Sequence, residues 1–523
     1  MELTGDEEIT VTKVKLKRSI NFASTTSILL TNIGGSAIFI SPSAILHYSG
    51  SPIVALILWL ISGILNAGLA FCFVEIGLLF PKAGGPYFYI LEVFGSLYGF
   101  IFLWGFVSLI FASSWAISSY SAAIYLVTAV SPSCPYPDLA VKILAGWIIV
   151  TLVVLNCTYM KLVTKIQGIL SMAKILALLL IIVTGLLQLS NSEKNNLVTL
   201  INIEDRSIDV GSLALGLFAG FFNYGGWSGF IRYLLVFHSE KHWLSGSLWC
   251  WRKFLWIFTM VSRCQWCRME GPVRTEASQL DRKNKKTRTL PKSVFLSFSI
   301  MICLYVLANF SYVLLLTPAQ MFSSDAVAIL AMQQVHPVLG VVVSILVAFC
   351  SISVLNVLIM GQPRLLFAAS RVGHMPELFQ MISRKFLTPW PAIIFCSIPA
   401  FLVLMYGNII IFIDTISLFA CLMVSAVLVA LLYLRYKKPN IKRPFRVPII
   451  LPILMLFIDI LLLSMSIYKK PQELGTCLFI LSLSLPVYLV TVVWKNKPKK
   501  FQDLMARITL FLKTLFILEK SAE

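Results

Sequence analysis

Charge is scarce in this chain. Only 13% of its 523 residues are Asp, Glu, Lys or Arg, against about 25% in soluble domains. A water-facing surface around a chain of this length is therefore excluded. Acid is scarcer still, with 23 Asp and Glu against 43 Lys and Arg. No ring of acidic residues and no repeated filter segment is present, which argues against an ion channel. No nucleophile constellation or phosphate loop stands in a supporting context, so an enzyme is not expected. Cys264-Gln265-Trp266-Cys267 has zinc-knuckle spacing but no second ligand pair, so neither a metal nor a cofactor is expected. The N-terminus is acidic and then basic, without a small-residue cleavage site, so no cleavable signal is expected.

What the chain has is hydrocarbon: 58% of it is hydrophobic. A helix needs roughly 20 apolar residues to cross a bilayer. Twelve such runs are predicted, at 22–46, 53–80, 96–130, 139–156, 162–189, 211–236, 293–316, 338–370, 391–406, 411–434, 446–468 and 474–494. The class is an all-α integral membrane protein with the lipid bilayer as its solvent. Residues 1–21 read as a polar N-terminal tail and 495–523 as a C-terminal tail, around a transmembrane domain at 22–494. The net charge of +20 is not a nucleic-acid signal. Placing the N-terminus inside leaves only Lys194, Arg206, Lys469 and Lys470 in outer loops. That asymmetry is the positive-inside rule, and it predicts both termini in the cytoplasm.

Two runs are interrupted. Gly34-Gly35-Ser36-Ala37 breaks the first, and Asn223-Tyr224-Gly225-Gly226 breaks the sixth. Freed peptide groups are tolerated at membrane depth only where they line a cavity or meet a ligand. Two broken helices, five spans apart, predict an inverted five-helix repeat with a midplane binding site, plus two extra helices. The first helix is expected to unwind from Gly34 to Ala37 and resume at Ile38. Lys174 lies deep in the fifth span. An intramembrane charge costs about 2.5–3.5 kcal/mol on insertion scales and marks a functional position by default. Cys134 stands in a Pro-rich loop predicted to be extracellular, where an intermolecular bridge and an unpaired thiol are both open readings.

One segment does not fit. Residues 237–288 hold Trp243, Trp249, Trp251, Trp256 and Trp266, then a basic run from Arg282 to Arg288. Arg252 and Lys253 make 248–262 too charged for another span, and an odd crossing would invert every later loop. The segment is expected as a cytoplasmic insertion.

The chain resembles the light subunits of the heteromeric amino acid transporters, in the amino acid–polyamine–organocation superfamily. The matching text includes Ile38 to Pro42, Lys82 to Tyr87, Leu91 to Ser96, Cys134-Pro135, Tyr224 to Trp227, Ser370 to Pro376, Arg443-Pro444 and Trp494 to Pro498. The resemblance is strongest to the large-neutral and aromatic-preferring branch. It implies a LeuT-like fold and sodium-independent exchange of amino acids at the plasma membrane by alternating access. Ile33, Gly35, Ser36 and Ala37 stand at the family's first-helix binding segment. Phe222, Asn223, Tyr224 and Gly225 stand at the sixth-helix segment, with Phe222 as an aromatic gate. Lys174 matches a lysine that replaces a sodium ion and braces the first helix against the fifth. Glu75 matches a bond-making position near the inner mouth. Cys134 matches the cysteine bridged to a single-span glycoprotein heavy subunit.

Four departures are visible. Ala37 replaces a glycine. Phe111-Ala112-Ser113-Ser114 replaces a small or polar motif in the third span. Gln362-Pro363 brings a proline that should kink the eighth. After Trp227 the family pattern is lost until Leu290-Pro291. That replacement supports a rival expectation: a transport-impaired form that still assembles with a heavy subunit.

Overall fold

The computed structural model describes residues 22–80, 84–130, 137–191, 210–226, 276–322, 326–383, 386, 388–406, 409–441, 443–469 and 471–494, with 503, 507, 510, 511, 514 and 518–520 of the tail. The expectations for Cys134, for 1–21 and for 237–275 fall outside the described residues.

The chain begins with α1 (Phe22–Asn32), α2 (Pro42–Ser49), α3 (Pro52–Leu79) and α4 (Pro86–Phe94). Next come α5 (Ser96–Gly105), a π-helical stretch at Phe106–Phe111, α6 (Ala112–Val130), α7 (Asp138–Thr158), α8 (Met160–Asn191) and α9 (Val210–Asn223). Then follow α10 (Glu276–Leu315), the short α11 (Pro318–Phe322) and α12 (Val327–Val335), α13 (Pro337–Gly361) and α14 (Pro363–Arg371). The last helices are α15 (Trp390–Tyr406), α16 (Ile409–Lys437), α17 (Ile450–Lys469), α18 (Pro471–Ser482) and α19 (Ser484–Tyr488). The only strands among the described residues are β1 (Met381–Ser383) and β2 (Leu518–Lys520), an antiparallel pair with Ile382 opposite Glu519.

Nine stretches among the described residues are long and apolar enough to cross a membrane. Two shorter apolar helices, Gly211–Phe221 and Trp390–Tyr406, join them. Large apolar side chains such as Trp147 and Leu402 point outward, exposed by 66% and 68%. This is the inverse of a soluble surface, and the protein is a multi-pass membrane protein.

One sequence-based boundary needs correction. The first helix does not resume at Ile38. Ala37–Phe39 form one 3-10 turn, and α2 starts at Pro42 with proline in its first turn, where the missing N–H costs nothing. The seventh span lies at Thr289–Leu315, close to the expected 293–316, but the helix that carries it is longer. Helix α10 starts at Glu276 and runs 40 residues through Pro291, about 60 Å at 1.5 Å per residue. That is twice a hydrocarbon core, so the basic run 282–288 belongs to a helix projecting beyond the span.

Proline at 363 ends one helix and starts another, with Gln362 between α13 and α14. α13 packs along α6 and α8, α1 against α10, and α9 against α2 and α3. One ion cluster ties the bundle away from the breaks. Glu75 of α3 is fully buried and accepts from Arg435 Nε at 3.0 Å and from Arg435 Nη2. Arg443 Nε lies 3.5 Å from it, and the Val447 N–H donates to it at 2.9 Å. Glu75 thereby joins α3, α16 and the segment leading into α17.

Candidate functional site

Glycine makes the first break. Gly34 and Gly35 have φ of +75° and +45°, a region L side chains enter only with strain. A Cβ on Gly34 would lie 2.0 Å from Tyr305 Oη and 2.3 Å from the Asn223 carbonyl. So the first break passes directly over the second. A Cβ on Gly226, φ +89°, would lie 2.3 Å from the Asn32 carbonyl. A main-chain bond joins the two breaks: the Gly34 N–H donates to the Gly225 carbonyl at 2.8 Å.

The freed carbonyls of the first break are mostly claimed by the protein. Ile33 O accepts from Lys174 Nζ and from Tyr305 Oη at 3.2 Å. Gly35 O faces the Cys350 thiol at 3.6 Å. Phe39 O accepts from Tyr125 Oη at 3.0 Å. The Gly35 and Ser36 N–H groups differ: they have no acceptor among the described residues. The second break is held from α3. Asn66 Nδ2 donates to Phe221 O at 3.0 Å, and Ser62 Oγ to Leu217 O at 3.3 Å. Ser41 Oγ donates to Asn223 Oδ1 at 2.8 Å, while Asn223 Nδ2 donates to Ala219 O at 2.7 Å.

Between the breaks lies a cavity of about 680 Å³. Gly34, Gly35, Ser36, Asn223, Gly225 and Gly226 line it. Phe73, Phe106, Phe218 and Phe221 supply aromatic wall, and Asn66, Ser114, Ser353 and Gln362 supply polar points. No Asp, Glu, Lys, Arg or His lines it among the described residues.

The anticipated site residues therefore separate. Gly35, Ser36, Asn223 and Gly225 reach the cavity. Ile33 is buried outside the lining, its carbonyl already taken. Tyr224 is turned into an aromatic cluster, 6.0 Å from Trp59 and 5.0 Å from Tyr305 between ring centroids. Lys174 stands behind the first break, 5.4 Å over the Tyr305 ring. Ala37 and Phe222 have described backbones only, and Phe222 lies in the last turn of α9, one residue before its end.

Sequence reasoning missed Asn66 and the π-helical stretch that carries Phe106 and Ile110 to the wall. A lone Asn in an apolar run was the available signal for the first. Nothing in the text of 106–111 marks a π-turn, although such turns collect at functional sites. Gln362, read only for the proline after it, faces the cavity in a network: it accepts from Trp115 Nε1 at 2.6 Å and donates to Ser114 Oγ at 3.1 Å.

At the Pro86 end, His374 is buried between two hydroxyls, Tyr87 Oη at 2.9 Å and Ser96 Oγ at 2.8 Å. Burial holds its pKa below the ordinary histidine value.

Comparison with known proteins agrees with this architecture. The amino acid permease family matches residues 20–494. The chain is 31% identical over 498 residues to mouse large neutral amino acids transporter small subunit 2, covering 95% of this chain and 85% of the relative. It is 29% identical to human Asc-type amino acid transporter 1, over 95% of this chain and 86% of that one. It is also 29% identical to the human cystine/glutamate transporter, over 96% and 91%. Broken helices around an apolar cavity, in a bundle matched along nearly its whole length, place this chain in the amino acid permease family, beside the light subunits of the heteromeric amino acid transporters.

Proposed function

We propose that the chain is a sodium-independent exchanger of neutral L-amino acids with large or aromatic side chains. The observation that carries this reading is the cavity wall: about 680 Å³ with four phenylalanines and no charged side chain among the described residues. A side-chain carboxylate or guanidinium would enter it without a counter-charge, at a steep desolvation cost. The zwitterionic end needs no charged partner. Its carboxylate meets the free N–H groups of Gly35 and Ser36, and its ammonium meets carbonyls at the C-terminal end of α9, where the helix dipole is negative. Ala37 and Phe222 flank this point, with Phe222 as the gate. Ile33 and Tyr224 serve the site from behind, one through Lys174 and the other through Trp59. Lys174 provides the fixed positive charge that makes sodium unnecessary.

The architecture in this reading has twelve crossings, a LeuT-like five-plus-five inverted repeat and two added helices. Both termini, and the insertion at 237–288, face the cytoplasm. Cys134 carries a disulfide to a single-span glycoprotein heavy subunit, which delivers the pair to the plasma membrane. Alternating access needs no catalytic residue and no cofactor.

Uptake of radiolabelled leucine, tyrosine, arginine and cystine by cells co-expressing a heavy subunit tests this. Leucine and tyrosine should enter in sodium-free medium and should drive release of preloaded amino acid. Arginine or cystine uptake above that of leucine would overturn the neutral assignment.

The text at 231–288 supports a second reading, an assembling but transport-impaired form. Restoring the short family pattern there should raise uptake several-fold if it holds. Equal uptake by both versions would end it.

A further inference from the structure

The exchanger reading makes no use of α17, yet this helix buries an acid. Met455, Asp459, Leu462 and Ser466 form its buried stripe, with Asp459 only 3% exposed. The helix packs on α16, α9, α3 and α18. Asp459 Oδ2 accepts from Ser425 Oγ of α16 at 2.6 Å. Cys421 lies one turn earlier on α16. Asp459 Oδ1 has no hydrogen-bond partner. Ser466 Oγ has none either, and Ser466 lines the central cavity. The two orphaned oxygens belong to residues seven positions apart, about 10 Å along one face of the helix.

No cation compensates this carboxyl among the described residues. On α16, Arg435 is committed to Glu75, and Lys437, Tyr433 and Tyr436 lie near the same end. Asp414 lies three turns before Ser425 on that helix. From α3 come Cys72 and Glu75, the latter already paired. Helix α9 carries no titratable residue. Helix α18 carries Glu473 and Cys477, and α17 itself has Tyr468 and Lys469 beyond Ser466. A lone ionised carboxyl at hydrocarbon depth is expensive, and acids kept there usually face water or relay protons. Buried polar atoms without partners point the same way.

We propose that Asp459 is a proton-binding site: its carboxyl takes a proton from water that enters along the Ser466 face, and so makes the α16–α17 pair sensitive to acidity. The exchange is simple. Hydronium gives its proton to a carboxylate oxygen and leaves water, and Ser425 keeps its bond to the other oxygen. Because α16 also supplies Ala420, Met423 and Val424 to the cavity wall, a change at Asp459 reaches substrate through one helix.

Infrared difference spectra of the purified full-length chain in lipid nanodiscs, titrated from alkaline to acid, test this. The wild type should show a carboxylic-acid C=O band that D459N loses, since asparagine keeps an acceptor for Ser425 but holds no titrating proton. S425A should shift the band in frequency without removing it. Identical titrating bands in wild type and D459N overturn the proposal. If D459N does not fold, D459E carries the test: it must move the band, and an unmoved band is a failure. The readout needs no substrate movement, so it stands or falls apart from the exchanger reading.

Discussion

The two helix breaks solve one problem in opposite ways. The first is braced from outside. Lys174 of α8, Tyr305 of α10, Tyr125 of α6 and Cys350 of α13 all reach its carbonyls. The second takes its side-chain bonds from α3 and from Ser41, through Asn66, Ser62 and the Ser41–Asn223 bond. It packs Tyr224 on Tyr305 and shares the Gly34–Gly225 main-chain bond with the first. The difference teaches where rigidity resides. Four helices fix the first break in place. The second is held mainly by neutral side-chain bonds and ring packing.

Substitutions can break this contrast in graded steps. The largest effect is expected at Gly34. G34A puts a methyl into the space of Tyr305 Oη and Asn223 O, and the full-length chain should lose substrate binding and unfold at markedly lower temperature. G35A is its control, because the added Cβ meets nothing nearer than Val354 at 3.5 Å. There only backbone strain remains, about 1–2 kcal/mol, and folding should survive. A thermal-shift comparison in detergent separates the two, and equal losses would refute the crossing geometry.

K174A should come next. It removes a charged donor from Ile33 O, a bond of about 1.5–3 kcal/mol, and leaves Tyr305 alone on that carbonyl. Binding measured by calorimetry should weaken by more than in N66A, where a neutral bond of about 1 kcal/mol is lost from the second break. The reverse order would show that the second break is the rigid one.

The smallest effect lies outside both breaks. His374 has a folded-state pKa depressed by burial, so the unfolded chain binds the extra proton first. Stability is therefore present above about pH 6.5, the ordinary histidine value, and is lost as pH falls through the depressed folded pKa. Melting temperature in acid should fall more steeply for the wild type than for H374Q. Parallel curves would remove His374 from the account.

Much of this was legible in the text because glycine and proline act locally. The breaks fall at Gly34-Gly35 and Gly225-Gly226, and Pro42 and Pro363 each begin a helix. Span positions follow from hydrophobic length alone. The facing of side chains around a break is a different matter. Ile33 and Tyr224 sit within a residue or two of cavity-lining glycines yet turn away, because irregular backbone has no period to count. Asp459 was visible as a single acid in an apolar run, but its orphaned oxygen depends on what α16 and α3 bring to it. The start of α10 at Glu276 was hidden by the charge of 281–288, which marks the end of a span and says nothing about the end of a helix.

The bond from the Gly34 amide to the Gly225 carbonyl has an unusual genetic status. It involves no side chain, so no single codon change can delete it and leave its surroundings intact. A library of point mutants would pass over the joint between the two half-sites without reporting on it. An amide-to-ester exchange at position 34, made by nonsense suppression, removes that hydrogen and also weakens the Ile33 carbonyl that accepts from Lys174 and Tyr305, so it measures the joint together with its brace.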